Sequence, residues 1–352
     1  QLCPEGVEFS QLKEYCEVLR GKRLTKKELS EEGDYPVFHG GLIPLGRYSE
    51  YNRKANQTMV INTGSVGEVV WSSVDFWSSD GTFVIKTSNN INDKFLYYFL
   101  KTQEPYLKTQ KREGGVPTIS RETVENLSIP IPPLPVQQEI VNILDTFTQL
   151  EAELEAELEA RKKQYEYYRN ELLSFGDEVE WKTLGEVGEF IRGNGLQKKD
   201  FTQSGVGCIH YGQIYTYYGT FTHTTKSFVS EEAAKKFKKA QKGDVIIATT
   251  SENVEDVCKT VVWLGDEEIC ISGETYIFKH TQNPKYIAYY LQTPMFFNYK
   301  KQYITGTKVI RLHGNKLEKF PIPIPPLAEQ ERIVSILDKF DALVNDISIG
   351  LP

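Results

Sequence analysis

The chain reads IPIPPLPVQQEIVNILDTF from Ile129 to Phe147 and IPIPPLAEQERIVSILDKF from Ile322 to Phe340. These two nearly identical stretches are 193 residues apart, counted from position 129 to position 322. A solenoid repeat has units of only ~20–50 residues, whereas a unit of this length can bury a core of its own. The chain is therefore predicted to contain two homologous domains.

Two further pairs of segments recur in the same order. VEFSQLKEYCEVLRG at 7–21 corresponds to VEWKTLGEVGEFIRG at 179–193, and KFLYYFLKT at 94–102 corresponds to KYIAYYLQT at 285–293. Between these segments the two halves differ almost freely. We therefore expect one framework, present twice, that carries two different variable segments.

Composition favours an ordinary cytoplasmic protein. The 352 residues are 39% hydrophobic and 25% charged, which argues against disorder. There is no apolar run near the ~20 residues of a membrane span, and no basic, apolar leader opens the chain. Reduced structural thiols, without disulfides or zinc, are expected from the five cysteines Cys3, Cys16, Cys208, Cys258 and Cys270, which lack metal-ligand spacing.

The net charge of −7 is concentrated in the segments that follow each PPL turn, 134–176 and 327–352. The variable segments are nearly neutral overall. A neutral domain can still carry a basic face, so the charge leaves binding to nucleic acid open.

Each near-identical stretch begins a predicted helix. Its apolar side chains are three and four residues apart, as in a coiled-coil seam, and the first helix adds one stutter between Leu154 and Leu158. The first helix is expected from about Val136 to Phe175, after a rigid Pro-rich entry and before Gly176 and Asp177. The predicted seam consists of Ile140, Ile143, Phe147, Leu150, Leu154, Leu158, Ile333, Ile336, Phe340 and Leu343.

The second helix matches the first only as far as Leu343. Gly350 and Pro352 then interrupt the helical pattern. We interpret the second helix as incomplete at its C-terminal end.

The variable segments are predicted to be β-rich mixed domains, because they contain runs of β-branched and aromatic residues bounded by Gly, Asn and Ser. Segments 94–102 and 285–293 are predicted to be amphipathic helices with aromatic residues in the core. The expected fold class is α+β, with domains at 1–133 and 177–326 and long helices at 134–176 and 327–352. The predicted strands are TMVINT at 58–63, EVVWSS at 68–73, GTFVIK at 81–86, DVIIATT at 244–250, KTVVWLG at 259–265 and ETYIFKH at 274–280.

The sequence carries no catalytic signature. It lacks the motifs GxxxxGK[ST], HExxH and GxSxG, a GxGxxG after a strand, and the Asn-Pro-Pro or Asp-Pro-Pro motif of amino-methyltransferases. We therefore predict a protein without catalytic activity. Only His39 and His210 match between the copies; ordering a loop is the favoured role for them, and contact with a base edge or phosphate is the alternative.

Taken together, two variable domains, each followed by PIPPL-xxQxxIVxILD and a helix, resemble the DNA-specificity subunit of type I restriction-modification enzymes. The resemblance covers essentially the whole chain. It implies that each variable domain is a target recognition domain that reads one half of a split, asymmetric DNA sequence. It also implies that the long helices pack antiparallel as a spacer, and EAELEAEL at 151–158 resembles the spacer tetrapeptides of this family.

The same resemblance implies the partners. Double-stranded DNA and two methyltransferase subunits are expected, with restriction and translocation subunits recruited through the latter. S-adenosylmethionine, ATP and Mg²⁺ are expected on those subunits, and no cofactor or metal on this chain.

Basic side chains can neutralise phosphate, and Asn, Gln, Arg, Ser and Thr can address base edges. The candidates in the first domain are Lys22, Arg23, Lys26, Lys27, His39, Thr63, Ser65, Ser78, Ser79, Lys111 and Arg112. Those in the second are Asn194, Gln197, Lys198, Lys199, His210, Tyr211, Gln213, Thr249, Ser251, Asn253, Lys308 and Arg311. The run KKFKK at 235–239 is predicted to be a helix surface, with phosphate contact as the alternative.

Two other classes of protein fit the sequence less well. A coiled-coil scaffold without direct DNA readout explains the helices but gives two divergent β-rich domains no purpose. An enzyme requires a nucleophile, base or metal constellation, and the sequence offers none.

Overall fold

The computed structural model describes residues 6–112 and 115–345. The interruption predicted at Gly350 and Pro352 lies outside these ranges. The chain divides into two compact units between Leu154 and Glu155, and each unit is described by itself.

The first unit contains nine short strands and four short helices within the described ranges, followed by the start of a long helix. The elements are β1 Phe9–Gln11, α1 Leu12–Tyr15, β2 Cys16–Arg20, a 3₁₀ turn Lys26–Glu28, β3 Tyr35–Phe38, β4 Gly46–Tyr48, β5 Gln57–Ile61, β6 Val69–Ser72, β7 Trp77–Ser78, β8 Thr82–Thr87, α2 Asp93–Thr102, α3 Glu104–Thr109, α4 Arg121–Glu125, β9 Ser128–Pro130 and α5 Leu134–Leu172.

The second unit repeats this order with additional strands. Its elements are β10 Trp181–Thr183, α6 Leu184–Val187, β11 Gly188–Arg192, a 3₁₀ turn Lys198–Asp200, β12 Phe201–Thr202, β13 Val206–Ile209, α7 Tyr211–Thr216, β14 Phe221–Thr222, β15 Ser227–Val229, α8 Glu231–Ala234, β16 Lys239–Ala240, β17 Val245–Ala248, β18 Thr250–Ser251, β19 Thr260–Trp263, β20 Ile269–Ile271, β21 Thr275–His280, α9 Pro284–Tyr290, α10 Pro294–Tyr303, β22 Ile310–Arg311, α11 Gly314–Leu317, β23 Pro321–Pro323 and α12 Leu327–Asn345.

Each unit has two main sheets with corresponding strand orders. One sheet runs β2-β8-β5-β6 in the first unit and β11-β21-β17-β19-β14 in the second. The other runs β4-β3-β7 and β12-β15-β13-β20-β16, and both contain a parallel pair, Val37 opposite Trp77 and Cys208 opposite Cys270. The six predicted strands are confirmed, as is the prediction of two homologous β-rich mixed domains.

A separate two-stranded ribbon closes each domain. Ser10 pairs with Ile129 across β1 and β9, and Lys182 pairs with Ile322 across β10 and β23. The strand before the PPL turn therefore lies against the strand that opens the domain. This pairing explains why the sequence repeats at both ends of each variable segment.

The helices α2 and α9 contribute to the cores, as predicted. Leu96 and Leu100 of α2 are buried with the sheet residues of the first domain. In the second domain Tyr286, Tyr289 and Tyr290 of α9 are buried in the main cluster. Their rings therefore fill the core and are unavailable for stacking on bases.

The long helix α5 begins at Leu134 and ends at Leu172, slightly earlier than predicted at both ends. In the second unit its Tyr168 stacks on Phe340 of α12, with ring centroids 5.2 Å apart. Of the predicted seam residues, Ile333 is fully buried, whereas Phe147 is 64% exposed. Ile143, Leu150, Leu154, Leu158 and Leu343 are exposed as well, and Ile140, Ile336 and Phe340 are partly buried.

The prediction of a helix at KKFKK is wrong. Helix α8 ends at Ala234, and the lysines after it lie in a turn and at the start of β16. Asn194 holds this segment by donating to the backbone oxygen of Lys236 and accepting from the N–H of Lys238. The backbone oxygen of Lys236 and the N–H of Lys238 therefore bond Asn194, and the helix is not continued through this segment.

Within the described ranges, no helix is long and apolar enough to cross a membrane. The same residues contain no group of three or more His, Cys, Asp or Glu side chains placed to hold a metal ion.

Candidate nucleic-acid interface

Three loops meet at one surface of the first domain. The N–H of Ser65 donates to the oxygen of Gly40 at 2.8 Å, and the N–H of Ile119 donates to the oxygen of Asn62 at 3.1 Å. Thr63 and Arg112 both bridge to Thr118. We call the surface formed by His39–Gly41, Thr63–Ser65 and Arg112 the first loop surface; it brings together predicted residues that are far apart in sequence.

Glycine permits this approach of the loops. A Cβ atom on Gly64, whose φ is +91°, would lie 2.4 Å from the oxygen of Gly40. A Cβ atom on Gly40 would lie 2.6 Å from the oxygen of Thr63. Beside this contact the His39 Nδ1 atom lies 3.4 Å from Asp80, and the imidazole remains partly exposed.

The second domain builds a matching surface from strands β18 and β22. Thr250 pairs with Arg311 and Ser251 pairs with Ile310, while the N–H of Leu312 donates to the oxygen of Thr249. We call the surface formed by Thr249–Asn253 and Lys308–Arg311 the second loop surface. In both domains a strand of the main sheet, β5 or β17, leads directly into it.

Arg311 is exposed, and its direction is set by an acidic neighbour. Its Nε atom lies 3.6 Å from Glu274, which also accepts a hydrogen bond from the Thr250 hydroxyl at 2.6 Å. Lys308 is exposed on the adjoining loop and has no ion pair among the described residues. The arrangement presents a planar guanidinium and an ammonium three residues apart in sequence, suited to a base edge and a phosphate respectively.

A lysine-rich loop follows the first strand of each main sheet. Lys22, Arg23, Lys26 and Lys27 are all exposed after β2. The backbone of Lys22 is anchored, because its N–H donates to Ser78 and its oxygen accepts from the Trp77 indole. Four cationic groups are thereby held on one exposed loop.

The corresponding loop of the second domain is linked to KKFKK. Gln197, Lys198 and Lys199 are exposed around a 3₁₀ turn. Asn194, on the same loop, binds the backbone of Lys236 and Lys238. This contact, which the sequence did not reveal, places a second set of lysines beside the loop.

Ser78 and Ser79 are not surface groups in this fold, contrary to prediction. Both are fully buried. The Ser78 hydroxyl bonds that of Thr82 at 2.7 Å, and the Ser79 hydroxyl accepts from the N–H of Leu24 at 3.3 Å. Their hydroxyl groups therefore form hydrogen bonds with buried groups inside the domain.

Other polar candidates are also used inside the second domain. His210 is buried and caps α7 by accepting from the N–H of Gly212. Its pKa is lowered mainly by burial and to a smaller extent by the nearby charge of Lys198. A neutral imidazole that orders a loop is the interpretation this geometry supports. Thr249 and Ser251 are buried as well, so their side chains are not surface groups.

Two further candidates have their side-chain polar atoms engaged, and a third is held by its backbone. The Gln213 amide bonds the His210 N–H and the Ser227 hydroxyl, and the Asn253 amide bonds Asp256 on both sides. The N–H of Tyr211 donates to the Ser272 hydroxyl, while its ring remains partly exposed.

A family model described as the type I restriction modification DNA specificity domain matches residues 4–160 and again residues 176–352. A putative type I restriction enzyme specificity subunit of Haemophilus influenzae, S.HindORF215P, is 30% identical over 98% of this chain and 90% of its own length. The EcoR124I/EcoR124II specificity subunit of Escherichia coli is 34% identical over 80% of this chain and 72% of its own.

The fold is similar to that of a solved structure. The S subunit of a type I restriction-modification system from M. genitalium superposes with a TM-score of 0.61 at 19% identity, covering 99% of this chain and 94% of that one.

Proposed function

Because this chain belongs to the type I restriction modification DNA specificity family, we propose that it reads an asymmetric, bipartite DNA target with its two domains. Specificity subunits of this family are non-catalytic, as the sequence predicted. The observation that carries the proposal is the pair of loop surfaces, built at the same place in each domain from different side chains. The same framework with different side chains gives two different half-sites.

Readout is assigned to the exposed members of the loop surfaces. Arg112 and Arg311 have the fork geometry for a guanine edge, while His39, Thr63 and Ser65 offer smaller polar groups. The loops Lys22–Lys27 and Gln197–Lys199, with Lys111 and Lys308, supply phosphate contacts that fix the register. Phosphate contacts provide affinity without sequence information, so the two sets have separable effects.

Partners follow from membership of a restriction-modification complex. We assign two methyltransferase subunits to this chain, with restriction subunits joined through them. S-adenosylmethionine, ATP and Mg²⁺ belong to those subunits, and the complex is cytoplasmic. The exposed apolar residues from Ile143 to Leu158 on α5 are assigned to antiparallel packing between the long helices and to contacts with these partners.

A gel-shift assay on a random double-stranded DNA library, with and without the cognate methyltransferase subunit, tests this function. Selection of one split sequence with two fixed ends and an unread middle is expected for the complex. A coiled-coil scaffold without DNA readout would bind the partner and select no sequence at all.

A further inference from the structure

The aspartate of the repeated ILD motif has the same partners in both copies. Asp145 accepts from the Tyr98 hydroxyl at 2.5 Å and from the Lys94 ammonium at 2.9 Å. In the second copy Asp338 accepts from the Tyr289 hydroxyl at 2.7 Å and from the Lys285 ammonium at 2.7 Å. Each aspartate therefore ties its long helix to the helix α2 or α9 of its own domain.

The glutamine of the same motif makes a second attachment. Gln137 and Gln330 are fully buried. The amide oxygen of Gln137 accepts from the N–H of Asn92 at 2.7 Å, and that of Gln330 accepts from the N–H of Asn283 at 3.0 Å.

The remaining amide group orients each glutamine. Its Nε2 atom donates to the oxygen of Pro132 in the first copy and of Pro325 in the second, both at 2.8 Å. Asn92 and Asn283, whose N–H groups donate to the glutamines, are the N-terminal caps of α2 and α9. The glutamine is thus oriented by a backbone oxygen at the start of its own helix, and the asparagine by its position as the cap of α2 or α9.

Two separate attachments to one helix restrict both the rotation and the translation of a domain, which a single contact cannot do. The glutamine and aspartate are eight residues apart in each copy, which corresponds to ~12 Å along a helix and little more than two turns. Between them Val141 and Val334 are buried. A domain held at both points can neither rotate about its helix nor slide along it.

We propose that these two attachments form a latch that sets the position of each reading domain on its long helix, and thereby the number of unread base pairs between the half-sites. The residues are positioning residues, and none of them belongs to a loop surface. The proposal rests on the function assigned above. A slip of one helical turn, ~5.4 Å, exceeds the ~3.4 Å step of one base pair. A weakened latch therefore reduces the preference for one number of unread base pairs.

The latch has a sequence signature on both sides. The domain supplies Asn-x-Lys-x-x-x-Tyr at 92–98 and at 283–289, and the helix supplies a Gln followed eight residues later by Asp. These positions lie in the segments that recur between the copies, whereas the variable segments between them differ. The same four side chains meet in the same way in each unit.

The test uses the complete methyltransferase complex and a DNA library in which the two half-sites are separated by gaps of the natural length and of one base pair more or less. Methylation-site sequencing compares Tyr98→Phe, Asp145→Asn and the double variant with the wild type. Half-site sequences are expected to stay unchanged, while preference for the natural gap falls about tenfold, as for loss of a hydrogen bond to a charged group. The double variant is expected to lose more than either single change, because Asp145 also pairs with Lys94, and the non-additive part of the loss measures the shared Tyr98–Asp145 contact.

Tyr97→Phe is the matched control. Tyr97 lies on the same helix, and its hydroxyl has no hydrogen bond among the described residues, so the gap preference should not change. Tyr289→Phe and Asp338→Asn repeat the test in the second domain. Tyr98→Phe alone decides the matter if Asp145→Asn does not assemble, since it removes one oxygen atom only.

An unchanged gap preference in folded variants would overturn the latch and leave the proposed function standing. A wild-type complex that methylates without sequence selection would overturn the proposed function, and the latch with it.

Discussion

A Cβ atom on Gly21 would lie 2.0 Å from the backbone oxygen of Ser79. Gly193 and Ser272 stand in the same relationship in the second domain, also at 2.0 Å. The glycine of the repeated RG pair therefore allows the loop after the first main strand to run against the opposite backbone. Only a residue without a side chain fits where two backbones approach so closely.

Gly21→Ala is expected to lower the free energy of unfolding by about 3 kcal/mol, because the backbone of Ser79 must move to admit the methyl group. Urea denaturation measures the loss. Gly219→Ala is the control, since a Cβ atom there meets nothing within 4 Å. Equal stability of the two variants would contradict the close approach.

Acid should destabilise the second unit through His280. Burial lowers the pKa of His280 to about 4, against the opposing effect of Asp244. The unfolded chain takes up the proton near pH 6.5, and the folded chain takes it up only near pH 4. The free energy of unfolding is therefore fully retained above pH 6.5. It falls as the pH is lowered from 6.5 to 4, by at most about 1.4 kcal/mol per pH unit.

Urea denaturation of the chain across pH 4 to 6.5 measures this slope. His280→Gln should flatten it, because the side chain no longer titrates. The same change at the exposed His223 serves as the control. An equal slope in the His280→Gln variant would contradict this assignment.

The two kinds of DNA contact should separate by mutation. Arg311→Ala is expected to relax selection at one position of one half-site and to cost about 1–3 kcal/mol of binding free energy. Lys198→Ala should weaken binding to all sequences and reduce the salt dependence by about one phosphate contact. Binding measured at several salt concentrations on cognate and altered sites distinguishes them, and the opposite pattern would show that the roles are reversed.

The length of α5 should set the unread gap. Deleting one EAEL from 151–158 removes ~6 Å of helical rise and rotates the C-terminal part of the helix by about 40° beyond a whole turn. The preferred gap is expected to shorten by one or two base pairs, at ~3.4 Å each, with both half-sites unchanged. Methylation-site sequencing measures it, and a fully active deletion variant with the natural gap would refute this role of the helix.

Much of the architecture could be predicted because it depends on chain-wide patterns. The runs that became β5, β8, β17 and β21 are apolar enough for two-sided burial, and the repeat itself fixes the number of domains. The spacing of apolar residues also located α5 to within a few residues at either end. Such patterns report which segments are buried and leave open what each polar side chain does.

The candidate site was harder to predict, since one side-chain type serves two purposes. Ser79 and Thr249 resemble base-reading residues in sequence, yet their hydroxyls satisfy interior groups. Asp145 and Gln137 recur at fixed spacing, but their partners lie about 45 residues earlier in the chain. The repetition of Asn92, Lys94 and Tyr98 as Asn283, Lys285 and Tyr289 was a signal that could have revealed the latch.

Exchange of one domain tests the central claim most directly. Residues 8–128 are replaced by the matching segment of a relative that retains Asn-x-Lys-x-x-x-Tyr, and methylation-site sequencing is run on the assembled complex. We predict that one half of the recognised sequence changes while the other half and the gap remain. A simultaneous change of both half-sites would contradict the account of two independent readers on one framework.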